Sequence, residues 1–244
     1  MKVTVLGFWG GYPEKNEATS GYLFESKGFS LLVDCGSGVL AQLQNFKQID
    51  QIDAVILSHY HHDHKADIGV LQYARLIQGA NGFSMKELPI YGHPFDQDEF
   101  AKLTHPGITL GVAYDPEKTI SIGPFSISFF ECTHPVTTYA MKITDGESTV
   151  VYSADSSYDT AWTSFVKECD LFICECNMYA NQEAKKAGHM NSTEVGTLAK
   201  DGEVKELLLT HLPHFGDTTK LVKEAQTIFD GPISLAKTGF TWGK

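Results

Sequence analysis

Short apolar runs that each end in a polar or charged residue recur along the chain: KVTVLGF (2–8), FSLLVDCG (29–36), DAVILSH (53–59), FSISFFECTH (125–134), TVVYSAD (149–155), DLFICEC (170–176) and ELLLTH (206–211). Runs of this length, rich in β-branched residues, predict buried strands. Between them the apolar period lengthens to that of helices at 66–78, 96–105, 160–170, 192–200 and 218–229. Hairpin-like pairs dominate the first forty residues and 119–155, while strand–helix alternation dominates the end. Mixed sheets covered by helices follow, of the α/β or α+β class. Within 66–78 the stripe Val70, Tyr73, Ala74 and Ile77 has helical spacing and is expected to pack into the core.

The chain has no low-complexity tract, long linker or internal repeat, and its 244 residues are expected to form one domain. Its start, MKVTVLGFWGG, carries one lysine and a strand-like alternation instead of a signal peptide's apolar block, and no run approaches a membrane span. A cytoplasmic protein without membrane contact is the expectation. Five cysteines, an odd number, then point to reduced thiols. Cys174 and Cys176 share one face of a strand and read as small apolar packing, since zinc-binding pairs normally stand further apart. Thirty acidic against nineteen basic residues give a net charge of −11, and Arg75 is the single arginine. Such a chain lacks the cationic arrays of a general nucleic-acid binder, although a small anionic substrate stays within reach.

The candidate chemistry sits at the ends of the apolar runs. VILS leads to His59, SFFECT to His134, VVYSA to Asp155 and ELLLT to His211, so four predicted strands each deliver a ligand-type residue at the carboxyl end. The stretch SHYHHDH (58–64) adds His61, Asp63 and His64. Imidazole and carboxylate donors without thiolate suit Zn²⁺, Mn²⁺ or Fe²⁺ and leave the metal Lewis-acidic. Seven donors exceed the needs of one tetrahedral ion and suit two ions with a shared carboxylate. Isolated histidines are more often core or surface residues than ligands, and His62, His93, His105 and His214 are read that way. Asp34 is read as support for the ligands, not as one of them.

His59-Tyr-His61-His62-Asp63-His64 is an HxHxDH motif, and with His134, Asp155 and His211 following in that order the chain resembles the metallo-β-lactamase superfamily, most closely its ribonuclease Z and phosphodiesterase branch. Asp34-Cys35-Gly36 is similar to that family's early DxG turn and Gly188-His189 to its GH segment. The resemblance implies a four-layer αββα sandwich of the α+β class carrying a dinuclear centre. It assigns His59, His61 and His134 to one ion and Asp63, His64 and His211 to the other, with Asp155 bridging. It further implies attack by a metal-held hydroxide, with Asp63 orienting or deprotonating the nucleophile and His189 assisting the leaving group. His189 stands just before Asn191-Ser-Thr-Glu194, a capping-box pattern that opens a helix whose N-terminus could help hold an anion.

The resemblance has limits. Ribonuclease Z carries a long tRNA-gripping arm between the third ligand and the bridging aspartate; here twenty residues separate His134 from Asp155, and a hairpin turning at Asp145-Gly146 uses them. The family's arginine-bearing segments are also missing from 13–21 and 212–217. The expectation is therefore a phosphodiesterase acting on a small or flexible substrate, RNA included. tRNA 3′-end processing is the alternative, followed by hydrolysis of a lactone, thioester or lactam. A non-catalytic metal-binding protein would be expected to have lost a donor, and flavo-di-iron chemistry usually requires a carboxylate where this chain has His61. Relatives of this kind also suggest a homodimer.

Overall fold

A computed structural model describes residues 1–83 and 85–243. In chain order the strands are β1 (Lys2–Gly7), β2 (Gly21–Ser26), β3 (Phe29–Val33), β4 (Ala54–Ile56), β5 (Leu88–Gly92), β6 (Thr109–Ala113), β7 (Ile120–Ile122), β8 (Phe125–Glu131), β9 (Tyr139–Thr144), β10 (Thr149–Tyr152), β11 (Leu171–Glu175), β12 (Leu207–Thr210), β13 (Ile233–Leu235) and β14 (Thr241–Gly243). The helices are α1 (Val39–Leu43), α2 (His62–Lys65), α3 (Ile68–Ala80), α4 (Gln97–Ala101), α5 (Trp162–Val166), α6 (Ser192–Asp201) and α7 (Thr219–Ala225). Every predicted apolar run contains a strand and every predicted helical stretch a helix, in an α+β protein with two mixed sheets. No helix among the described residues is long and apolar enough to cross a membrane.

The chain groups into two compact units: 1–115 with 122–124 and 237–244, and 116–121 with 125–236. In the first, the sheet runs β14-β1-β2-β3-β4-β5-β6. Its β14, β1, β2 and β3 are antiparallel, with β2 and β3 joined through Lys27-Gly28, both at positive φ, the backbone a tight hairpin needs. From β3 to β6 the pairing is parallel, so these strands end at the same edge. Leu6, Leu23, Leu32, Val55, Leu57 and Leu71 are among the residues that fill its core.

In the second unit the order is β13-β12-β11-β10-β9-β8-β7. β8, β9 and β10 are antiparallel, whereas β10, β11, β12 and β13 are parallel. The carboxyl ends of β8, β10, β11 and β12 therefore share one edge. The fully buried Trp162 of α5 packs against Phe130 and Phe172 and closes part of this core.

One expectation is overturned. On α3, Val70, Tyr73 and Ile77 face solvent and Ala74 is half-buried, whereas the buried positions are Ile68, Leu71, Gln72 and Arg75. The helix is turned so that its polar residues face inward. Gln72 Nε2 donates to the carbonyls of Lys102 and Leu103 and to Thr109 Oγ1. The Arg75 guanidinium donates to the carbonyls of Ile49 and Lys86. Backbone acceptors that no periodicity reveals thus decide which face is buried.

Candidate metal centre

In the first unit β4 runs into Leu57, Ser58 and His59, after which the chain turns sharply into the single turn of α2. His61 occupies the N-cap position of α2 with extended backbone, so Asp63 and His64 return toward the strand end while His62 points to solvent. The rings of His59 and His61 meet edge to face at 4.9 Å, and those of His59 and His64 lie 4.1 Å apart. Ligand atoms of His59 and His61 come within 4.8 Å, as do those of Asp63 and His64.

Asp34 organises this cluster from the end of β3. One of its oxygens accepts from Ser58 N at 2.8 Å; the other accepts from Ser58 Oγ and from His64 Nδ1, both at 2.8 Å. With its proton given to Asp34, the Ser58 hydroxyl is left to accept from His59 Nδ1 at 3.0 Å. One buried carboxylate therefore sets the tautomer of two histidines, directing their Nε2 lone pairs outward, the arrangement that orients metal-ligating imidazoles. Asp34 takes the supporting place expected of it, at a φ of 57°.

The neighbouring turn is zipped onto α2, with Cys35 N donating to His64 O at 2.8 Å and Asp67 N to Cys35 O at 3.0 Å. A Cβ on Gly36 would stand 2.0 Å from Asp63 O, which is why the DxG turn needs glycine there. Asp63 Oδ2 accepts from Gly11 N at 2.8 Å, in the glycine-rich loop after β1.

In the second unit the shared strand edge carries the later residues. His134 follows β8, Asp155 follows β10 and His211 follows β12. Asp155 Oδ2 lies 3.8 Å from His134 Nε2 and 3.3 Å from His211 Nε2, so one carboxylate stands between two imidazoles. Ala154 and His211 both hold positive φ, 51° each, a strain of roughly 1–3 kcal/mol per residue that over-determined functional turns retain. Burial pushes the His134 imidazole below its ordinary value, opposed by the Asp155 carboxylate; the neutral ring that results is the form a metal takes.

His134 Nδ1 donates to Gly188 O at 2.9 Å. A Cβ on Gly188, whose φ is 80°, would meet His134 Nδ1 at 2.8 Å, so the GH segment needs glycine to let its carbonyl reach the ring. His189 follows, its ring 5.3 Å from that of His134 and stacked 5.2 Å from that of His211. Its Nδ1 donates to Glu175 Oε1 at 2.9 Å. Ligand atoms of Glu175, His189 and His211 lie within 4.8 Å of one another.

Glu175 is the functional residue that the pattern of the sequence left unnoticed. It is fully buried at the end of β11, between Cys174 and Cys176, and also accepts from Ser156 N and Met190 N. The signal was available, because an acid closing a fully apolar strand obeys the same rule that picked out Asp155. A second correction concerns α6. Its capping box forms as expected, but Asn191 Oδ1 takes the N–H groups of Thr193 and Glu194, and Ser192 N donates to Met178 O. The first-turn donors are consumed internally, which leaves this helix end no anion site. Of the other histidines, His93 is buried with its ring 4.4 Å from that of Tyr60 and belongs to no candidate metal group among the described residues.

A β-lactamase superfamily domain matches residues 30–212, a span that holds the motif, Asp34 and all the later donors. The chain belongs to the β-lactamase superfamily. It is 55% identical over 242 residues to the probable metallo-hydrolase YhfI of Bacillus subtilis, covering 99% of both chains. The crystal structure of YhfI, a metallo-β-lactamase fold protein, superposes with a TM-score of 0.98 over 99% of this chain and 98% of that one. A ribonuclease Z of Clostridium kluyveri is 26% identical over 96% of this chain and 95% of its own. A diphosphatase of the PhnP family shares the superfamily's fold at 15% identity, with a TM-score of 0.78 over 100% of this chain and 97% of that one.

Proposed function

We propose that this metallo-hydrolase of the β-lactamase superfamily cleaves phosphodiester bonds. What carries the proposal is His189, a partly exposed imidazole held by a buried carboxylate against two donor histidines. A proton donor so placed serves an alkoxide leaving group, which leaves poorly unless protonated. Similarity to a ribonuclease Z over nearly the full length supports the same chemistry.

His59, His61 and His134 would hold one ion and Asp63, His64 and His211 the other, with Asp155 shared between them. The donor set fits divalent ions, zinc first and manganese or iron as alternatives: it is all imidazole and carboxylate, with tautomers fixed by Asp34 and by Gly188 O. When bound, two such ions supply Lewis acidity that polarises the phosphoryl group and acidifies an attacking water. Asp63, steadied by Gly11 N–H, orients that water. His189, its Nδ1–H kept on Glu175, gives the Nε2 proton to the departing oxygen.

The substrate is a small or flexible phosphodiester. β9 and β10 pair from Thr144↔Thr149 to Met141↔Tyr152, which leaves no insertion between His134 and Asp155 for a tRNA-gripping arm. Similarity to ribonuclease Z favours tRNA 3′-end processing as the second reading. Metal-reconstituted enzyme would be given bis(p-nitrophenyl) phosphate, 2′,3′- and 3′,5′-cyclic nucleotides, a tRNA precursor, and a lactam, a lactone and a thioester. Turnover of the small phosphodiesters is expected. Turnover confined to the lactam, lactone or thioester would overturn the assignment, and efficient cleavage of the precursor would promote the second reading.

A further inference from the structure

Among the described residues of the second unit, the two large apolar side chains that are exposed are Val136, at 38%, and Phe215, at 49%. Both stand beside a donor, Val136 two residues past His134 and Phe215 four past His211. Four residues of chain can separate Phe215 from His211 by at most about 14 Å. The exposed ring is also held in place. Tyr179 Oη donates to the carbonyl of Phe215 at 2.8 Å, and the two rings meet at 5.8 Å. Gly216 follows at a φ of 77°, where a Cβ would come within 2.6 Å of Tyr179 Oη, so the turn closes tightly on that phenol. The same short segment reaches the histidines: Asn177 Nδ2 donates to His211 O at 3.0 Å, and Met178 pairs with Asn191, two residues past His189. Residues 177–179 therefore fix the Phe215 turn relative to both imidazoles.

We propose that Phe215 is a specificity-determining residue, the platform on which the base of a nucleotide substrate stacks. The inference rests on the phosphodiesterase reading and narrows its substrate to nucleoside phosphodiesters. Three observations select a base as the occupant. Every base has a π-face that stacks on an aromatic ring whatever its hydrogen-bonding edge, so one ring on a fixed turn is enough to bind it. At 49% exposure the ring offers roughly 100 Å² of the ~150–250 Å² of an aromatic side chain, which suits one flat ring and is too little for an extended acyl chain. Charge supplies little grip on the organic part of the substrate, because the chain carries −11 and its single arginine, Arg75, is spent on the carbonyls of Ile49 and Lys86 in the first unit. A ring already ordered by Tyr179 also loses little freedom when the base arrives.

Isothermal titration calorimetry on the metal-reconstituted full chain would compare AMP with ribose 5-phosphate, which share sugar and phosphate and differ by the base. The wild type is expected to bind AMP about 5- to 100-fold more tightly. Phe215→Ala should weaken AMP until the two dissociation constants converge, with that of ribose 5-phosphate unmoved. Phe215→Tyr, which keeps a flat ring, should keep the preference. Should Phe215→Ala fail to fold, as judged by circular dichroism, Phe215→Leu decides in the same way, since it keeps apolar bulk against Tyr179 without a π-face. A wild type without preference for AMP would overturn the proposal, as would a preference that survives loss of the ring. Turnover of bis(p-nitrophenyl) phosphate and the cyclic nucleotides by the same wild-type preparation tests the underlying reading separately. Where none is turned over, the phosphodiesterase reading falls and takes the substrate assignment with it; where turnover persists without base preference, only the platform falls.

Discussion

Glu175 Oε1 accepts from His189 Nδ1 at 2.9 Å while the same carboxylate is pinned by the N–H groups of Ser156 and Met190. The imidazole thus has one orientation and one nitrogen, Nε2, for proton exchange. His189→Ala should lower kcat on a phosphodiester with an alkoxide leaving group by about 10²–10⁴-fold. On bis(p-nitrophenyl) phosphate, whose leaving group needs no proton, the loss should stay within about tenfold. Glu175→Gln should show the same leaving-group dependence at smaller amplitude. Equal losses on both substrates would assign His189 a structural part instead.

Asp34 sets two histidines of the candidate metal centre at once, so its charge should matter more to metal retention than to backbone shape. Asn tolerates the positive φ at this position better than most residues, which makes Asp34→Asn the informative change. Metal affinity, measured by competition with a chromophoric chelator, should fall about 10–100-fold. A circular dichroism spectrum that stays native would show that the loss comes from the site and not from unfolding.

The candidate donors His59, Asp155 and His211 were legible in the sequence because β4, β10 and β12 are short, largely buried and apolar, so the His or Asp after each stands out, whereas β8, before His134, is longer and only half-buried. Residues with a polar setting gave less. β5 and β6, with the mixed sequences LPIYG and TLGVA, and the three-residue β13 and β14 have too little pattern to announce themselves. The α3 stripe gave the helix correctly and its orientation wrongly, since periodicity reports that a face exists but not which way it points. What decided the orientation was hydrogen bonding of Gln72 and Arg75 to distant carbonyls. Glu175 escaped because the cysteines on either side of it drew the chemistry of that strand toward sulfur, although both thiols are buried.

Those thiols are also predicted to be inert. Burial pushes Cys35, Cys174 and Cys176 well above the ordinary thiol value, pushes Cys132 up strongly, and pushes Cys169 up to about 12. The thiolate is the reactive form, so at pH 8 the folded protein should react negligibly with Ellman's reagent. In guanidinium all five should titrate. Rapid reaction of one thiol in the native state would place it in a more open setting than its burial allows.

The stability of the metal-free protein should fall on acidification, with His134 contributing. Burial lowers its folded value below that of the unfolded chain, near 6.5. The unfolded state therefore binds the proton more readily, and stability rises with pH over this interval. Read downward, the contribution is intact above the unfolded value and is lost progressively as pH falls from there toward the lowered folded value. Thermal melts of chelator-treated protein from about pH 7.5 to 5 should show Tm dropping, and His134→Gln, which cannot take up the proton, should flatten the slope. A His134→Gln slope identical to that of wild type would assign the acid sensitivity to other groups. Metal loading should steepen the loss in the wild type, because protons and cations then compete for the same imidazoles and carboxylates.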